Sequence, residues 1–319
     1  MREINQIFDK TFKKVLTLSS KAVIRFVNGL FETNYPLDST ITYNWTEFED
    51  KELKRILADT IITINHQYSY HIEAQVTEDN EIVFRMFDYG YAHASRTRIV
   101  KNDRMILPFP EPKIIYLYSE NSVPEEFTLE LDFGTQGTFD YRVGTLQFMQ
   151  MSTEELNQNG MVILIPFLLL KLRKLLKESR SKENIAALKE LLCNDIIGSI
   201  QNNYEMGNIS YSDATSLISF TKVMYNQIYY NQYKELEEMD AMTDESYMTD
   251  IDLIIKEQEE KWGAVVKERT LELKRMDEAL KSKELELKDK DAELKDKDAE
   301  LKDRDAEIAR LRKLLQERK

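Results

Sequence analysis

The chain has 319 residues, with 44 Lys and Arg against 57 Asp and Glu and a formal net charge of −13. That acidic balance excludes a protein that coats nucleic acid by bulk charge, while leaving room for local basic patches. Its single cysteine, Cys193, excludes an internal disulfide and any Cys-based metal spacing; it reads as a small buried apolar residue on a helix.

Hydrophobic residues make up 42% of the chain, enough for a packed core, and the length predicts two domains plus an extension. The opening MREINQIFDKTFKK has no apolar h-region, which predicts no secretory signal. The most apolar run, 161–172, contains Pro166 and is about twelve residues long; a spanning helix needs about twenty. It reads as a buried helix, and with the cysteine poverty the expected location is cytoplasmic, with no membrane partner.

In chain order, residues 3–17 carry Ile4, Ile7, Phe8, Phe12 and Val15 on one helical face. Ser19 or Ser20 caps a second helix, which Pro36 closes off. Residues 40–45 read as a short strand. Two stronger strands follow, 55–64 (RILADTIITI) and 68–76 (YSYHIEAQV), joined by Asn65-His66-Gln67. Residues 81–95 return to helical spacing. Residues 113–118 (KIIYLY) read as a buried strand, and 128–133 with 138–148 as a strand pair around Gly134 and Gly137. Ser152 and Glu155 form a capping-box pattern that opens a half with three helices and no strand signal. Residues 239–252 are polar and acidic and read as a linker. The tail repeats AELKDKD, with Leu287, Leu294, Leu301, Ile308 and Leu315 seven residues apart. Glu293 with Lys297 and Glu300 with Arg304 are i,i+4 pairs worth about 0.2–0.5 kcal/mol each. With one strong apolar position per heptad, the tail is either a weak coiled coil, which predicts a homo-oligomer, or a lone charged helix.

The hairpin carries the chemistry. If it is antiparallel and centred on His66, Asp59 falls opposite Glu73, His71 opposite Ile61, and Gln75 opposite Leu57. Period-two alternation then puts Asp59, Thr63, His71, Glu73 and Gln75 on one face, and Ile62, Ile64, Tyr70, Ile72 and Ala74 on a core face. Directly opposed carboxylates about 4.5–5.5 Å apart repel unless a cation or water lies between them. Their hard oxygens suit Mg²⁺ or Mn²⁺, which polarises a phosphoryl oxygen. Acids on an ordinary solvated face are the plain alternative, and a one-residue slip would break the pairing.

Asp59 followed fourteen residues later by Glu73-Ala74-Gln75 resembles the D…ExQ form of the PD-(D/E)xK nuclease motif. Asp9-Lys10-Thr11-Phe12-Lys13 resembles the D-x-x-F-K helix that starts the Rpn-type recombination-promoting nucleases and putative transposases. Arg85, Met86 and Tyr89 match their R-M-x-x-Y helix, and 164–171 (LIPFLLLK) resembles the L-P-F helix of bacterial relatives. The likeness spans roughly residues 5–235. It implies an α/β (α+β) fold, a mixed sheet flanked by helices, and divalent-metal cleavage of DNA, in some members with recombination or transposition. Carried over, Asp59 and Glu73 bind the metal (Mg²⁺, or Mn²⁺ or Ca²⁺), with the Ala74 carbonyl as a third ligand. Gln75 stands where most of the superfamily has Lys, which leaves the general base unassigned, and Ala58 replaces its Pro. Asp9 is either an extra catalytic acid or a surface ion pair with Lys13. Lys13, Arg85, Tyr89, Arg96 and Arg98 are candidate DNA contacts, though Tyr89 is equally a core residue and Arg85 a solvated charge. His66 belongs to the turn. His71 reads as an exposed strand residue rather than a ligand.

The expected organisation is therefore a nuclease-like core over 1–150, a helical domain over 151–238, a linker over 239–264 and a charged helix or coiled coil over 265–319. The expected function is a metal-dependent DNA endonuclease. The alternative is an inactive nuclease-like scaffold that binds DNA or protein.

Overall fold

A computed structural model describes residues 2–49, 55–77, 79, 81–119, 121–179, 181–230 and 245–316. Side chains are described over narrower spans, which do not include that of Asp59. The chain divides into two compact units, Met1–Glu259 and Glu260–Lys319.

The first unit is mixed α/β. Helices α1 (Arg2–Val15) and α2 (Ser20–Phe31) lead into strands β1 (Ile41–Glu49), β2 (Arg55–Ile64) and β3 (Tyr68–Gln75). Helix α3 (Ile82–Arg96) and a short ribbon, β4 (Ile99–Lys101) with β5 (Arg104–Ile106), precede β6 (Glu111–Tyr116), β7 (Glu126–Asp132) and β8 (Thr138–Gln147). The main sheet runs β1-β2-β3-β6-β8-β7. Strands β3, β6 and β8 are parallel neighbours, and antiparallel pairs close both sides. A parallel step from β3 to β6 needs a crossover, and α3 supplies it.

The β2–β3 register is the one centred on His66: Thr60↔Ile72, Ile61↔His71, Ile62↔Tyr70, Thr63↔Ser69 and Ile64↔Tyr68. The turn needs positive φ at two positions without glycine, and Asn65 (φ 51) and His66 (φ 55) adopt it. Asn tolerates that region because its short side chain bonds locally. Here Asn65 Oδ1 accepts from Thr40 N at 3.1 Å, and Asn65 Nδ2 donates to Ser39 Oγ at 3.3 Å.

Both faces of the sheet are covered. On one, α2 buries Ala22, Val23, Ile24, Phe26, Val27, Leu30 and Phe31, and Phe31 meets Tyr70 with ring centroids 4.5 Å apart. Lys113 reaches up from β6 to donate to Leu30 O at 2.7 Å, satisfying a carbonyl in the last turn of α2. On the other, α3 lays Ile82, Val83 and Met86 against Ile114, Tyr116, Tyr141 and Val143.

Beyond the sheet, Ser152 and Glu155 form the expected capping box at the start of α4 (Thr153–Gln158). The apolar run is buried, and it is a 3-10 helix, Val162–Leu172, with Pro166 inside. Pro166 lacks the N–H an α-helix would need there, so a tighter winding replaces it. Gly29 of α2 backs onto the turn after α4, where an added Cβ would sit 1.8 Å from Asn159 O. The three helices expected after it are more finely divided. They are α5 (Arg173–Glu178), α6 (Lys182–Glu190), a π segment (Leu191–Gly198), α7 (Ser199–Glu205), α8 (Tyr211–Tyr225) and a second π segment (Asn226–Tyr230). Cys193 lies on the first π segment and is half-buried rather than buried; burial pushes its thiol pKa up. The last helix, α9 (Glu245–Gln316), begins inside the segment read as a linker. The sequence explains the earlier start, since Ile251, Ile254 and Ile255 already recur at helical spacing. Among the described residues no helix is long and apolar enough to cross a membrane.

Asp213 ties the first helices to α8. It is 2% exposed and accepts from Ser19 N (2.8 Å), Ser19 Oγ (2.6 Å), Ser210 N (2.9 Å) and Ser210 Oγ (2.7 Å). Replacing Asp213 with Ala strands those donors and removes the reciprocal half of the α8 capping box, so urea unfolding should show a loss of about 2–4 kcal/mol. An unchanged midpoint and slope would show that this tie contributes nothing.

Candidate functional site

The site builds outward from β3. Glu73 and Gln75 lie two residues apart on one side of the strand, and Gln75 Nε2 donates to Glu73 Oε1 at 2.9 Å. The β2–β3 ladder reaches Thr60↔Ile72, one residue short of Asp59 and Glu73, and β2 carries one extra residue between its Leu57 and Thr60 pairs with β1.

Helix α3 runs antiparallel to β3 and lines up with it one turn at a time. Arg85 Nη2 lies 3.7 Å from Glu73 Oε1, and Arg85 also makes a short ion pair with Asp79. Tyr89 meets the His71 ring edge-on, with centroids 6.4 Å apart. His93 Nε2 lies 3.2 Å from Ser69 Oγ, which in turn is 2.9 Å from Thr63 Oγ1. A polar seam thus lies between helix and strand, with carboxylates at its Glu73 end.

This corrects the expectation for His71. The face bearing Glu73 and His71 is not open to water; α3 covers it, and His71 is fully buried. Helix α3 sets Arg85 beside Glu73 and His93 beside Ser69, and covers His71 with the ring of Tyr89.

Asp9 comes to the same place from α1. A cavity of about 190 Å³ at the carboxyl end of β3 is lined by Phe8, Asp9, Glu73, Ala74, Gln75, Val76, Thr77 and Leu117. Asp9 pairs with Lys13 at 2.9 Å, with the Asp9 side chain 46% and the Lys13 side chain 13% exposed. The Glu73 side chain is 13% exposed. Both readings of Asp9 therefore describe it: an ion pair with Lys13, and an acid at the cavity of Glu73.

The donors suit a hard divalent cation, because two carboxylates and the backbone of Ala74 line one cavity. Among the described residues no cluster of three or more His, Cys, Asp or Glu forms a metal-binding group. A larger, more open cleft of about 600 Å³, lined by Arg25, Asn28, Thr33, Asn34, Tyr35 and the turn after α4, contains no acidic residue. Its Asn28 and Thr33 bond to each other at 3.0 Å.

Of the candidate DNA contacts, Lys13 and Arg85 join the carboxylate cavity through ion pairs, and Tyr89 packs from α3 onto the His71 ring. Arg96 and Arg98 are exposed at the far end of α3; Arg98 Nη1 donates to Ser95 O at 2.8 Å. Sequence reasoning missed two residues. Asp79 is the second acid on Arg85, in a loop without a pattern. Arg173 stacks its guanidinium on Phe8 (5.9 Å) and Tyr118 (5.5 Å), beside the cavity. No spacing links position 173 to either ring.

Compared with protein-family models, curated proteins and solved structures, the chain matches none.

The seam also carries a proton balance. Burial holds the His93 imidazole pKa below its usual 6.5, and the charges of His71 and Arg96 push it in the same direction. The unfolded chain then binds more protons than the folded one as pH falls from 6.5 through the depressed folded value. Stability should be flat above about pH 6.5 and decline below it. Melting temperatures of wild type and His93→Gln between pH 7.5 and 5 check this: the variant should show the shallower decline, and equal slopes would assign the loss to other groups.

Proposed function

We propose that the chain is a divalent-metal-dependent DNA endonuclease of the Rpn type within the PD-(D/E)xK nucleases. The observation that carries this reading is the meeting of Asp9, Glu73 and Gln75 at one cavity at the carboxyl end of β3, with Asp59 on the neighbouring strand β2. Sites in open α/β sheets gather at the carboxyl ends of parallel strands. The six-stranded mixed sheet with helices on both faces fits the fold that the motif implies.

In this proposal Asp59 and Glu73 hold Mg²⁺ or Mn²⁺, with Ca²⁺ as a further candidate. When bound, such a cation offsets the carboxylate repulsion and polarises a phosphoryl oxygen. Gln75 holds Glu73 through its Oε1 at 2.9 Å. It cannot replace a lysine's charge. Arg85 brings a fixed cation within 3.7 Å of Glu73, and Arg173 places another beside Phe8. These two can draw a phosphate toward the carboxylates and stabilise the negative charge that builds as water attacks phosphorus. Lys13 is held by Asp9 at the same cavity.

The test is nicking of supercoiled plasmid by purified protein with Mg²⁺ or Mn²⁺. Wild type should convert it to open circle, and Asp59→Ala and Glu73→Ala should each lower the rate by about 100-fold or more. Equal cleavage by all three proteins would move the chemistry elsewhere. Joined products rather than cut ends would identify a transposase.

Helix α9 presents Leu280, Leu287, Leu294, Leu301 and Ile308 to solvent at seven-residue intervals, each 47–61% exposed. We propose that this stripe pairs with that of a second copy, giving a homo-oligomer with one site for each DNA strand. Light scattering should report a lower mass for a chain truncated at residue 265 than for the full chain; identical protomer numbers would remove the pairing.

A further inference from the structure

The ribbon between α3 and β6 is an anomaly of burial. Its two strands pair Ile99↔Ile106, Val100↔Met105 and Lys101↔Arg104 and form a sheet of their own. Every residue from Arg96 to Leu107 is exposed. Val100 is 71% and Met105 65% exposed on one face, and Ile99 52% and Ile106 44% on the other. An isolated two-stranded ribbon is marginal in water, and one with apolar side chains bare on both faces gains little from its own protein. The turn is nonetheless well defined. Asn102 (φ 50) and Asp103 (φ 56) both take positive φ, the two-residue arrangement whose twist matches a hairpin.

Charge adds a second observation. Residues 96–104 hold four cations, Arg96, Arg98, Lys101 and Arg104, against one anion, Asp103: net +3 on a chain of net −13. Lys101 and Arg104 are directly opposed beside the turn. Opposed like charges cost stability, and neither side chain has an ion pair or hydrogen bond recorded with any described residue. Such a pair suits closely spaced external anions.

We propose that this ribbon docks in the major groove of duplex DNA, with Lys101 and Arg104 on phosphates and Val100 and Met105 against base edges. The proposal rests on the nuclease reading and names how that site's substrate is held. Two strands about 4.8 Å apart with their side chains match a groove about 12 Å wide. Exposed aliphatic groups have thymine methyls to meet there. Eleven residues of α3 separate Arg85, at the carboxylate cavity, from Arg96, at the ribbon. At about 1.5 Å per residue that is roughly 16 Å, or about five base pairs at 3.4 Å each. The ribbon therefore grips the duplex away from the scissile position.

The experiment uses the full chain with a fluorescein-labelled 25-base-pair duplex in EDTA, where binding is read by anisotropy without cleavage. Lys101→Gln/Arg104→Gln should weaken binding on the order of tenfold at 0.1 M salt and lower the slope of log K against log salt by about 2. Both residues are exposed, so the variant's melting temperature checks that folding is intact. Unchanged affinity and slope, or no duplex binding by wild type, overturns the proposal. So does binding of phosphatidylserine vesicles through the same pair without duplex binding. Plasmid nicking separates the two claims. Duplex binding through the ribbon with no metal-dependent nicking sinks the nuclease reading alone. Equal nicking by wild type and the ribbon variant at sub-saturating DNA sinks the ribbon alone.

Discussion

A three-residue turn determines what the central hairpin can do. Asn65 and His66 accept left-handed backbone, and Asn65 is pinned to Ser39 and Thr40 at the start of β1. With the turn held, each β3 residue from Tyr68 to Ile72 has a fixed partner on β2, and alternation carries the face forward to Glu73 and Gln75. A slip of one residue would move Glu73 and Gln75 to the α2 side, among Tyr70 and Ile72, where a carboxylate would be buried without a cation. The site depends on that register more than on any single contact within it.

Helix α3 makes the second demand. A polar strand face packed under a helix is costly unless the helix answers each group. Arg85, Tyr89 and His93 recur every four residues, and the strand residues Glu73, His71 and Ser69 recur every two. A helix rises about 6 Å over four residues and a strand about 6.6 Å over two, so the two series stay in step. The same matching lets one helix carry an apolar stripe, Ile82, Val83 and Met86, onto Ile114 and Val143. Polar and apolar seams run side by side on α3. The aromatic hydroxyl of Tyr70 is handled separately on the α2 side: it meets the Tyr35 hydroxyl at 2.6 Å, and burial with that neighbour holds its pKa well above the ordinary value.

Several features were legible in the sequence because they rest on local periodicity. The hairpin follows from alternation on both sides of Asn65-His66-Gln67. Helices α1, α2 and α3 follow from apolar spacing, and the start of α4 from a capping box. The ribbon of β4 and β5 was not legible: three-residue strands crowded with charge carry too little pattern. The division of the helical half into short pieces was hidden as well. Pro166 marks the first interruption, whereas the π segment at residues 191–198 contains no such residue. His71 was misread for a related reason, since alternation tells which face a residue takes and not what covers that face.

The sequence by itself determined helices α1 to α3, the hairpin register and the residue types on each strand face, because those follow from covalent chirality and from spacing along a single segment. Only the tertiary structure decided that Asp9 and Glu73 share a cavity, that α3 seals His71, and that Arg173 stands on Phe8. It also decided that Asp213 joins residues 19 and 210. The long-range ones bring together side chains from 18 positions apart (His71 and Tyr89) to 194 apart (Ser19 and Asp213), and the energy that does so comes from burying α2 and α3 on the two faces of the sheet. No local pattern records such partners, since water exclusion acts on area and is indifferent to sequence distance.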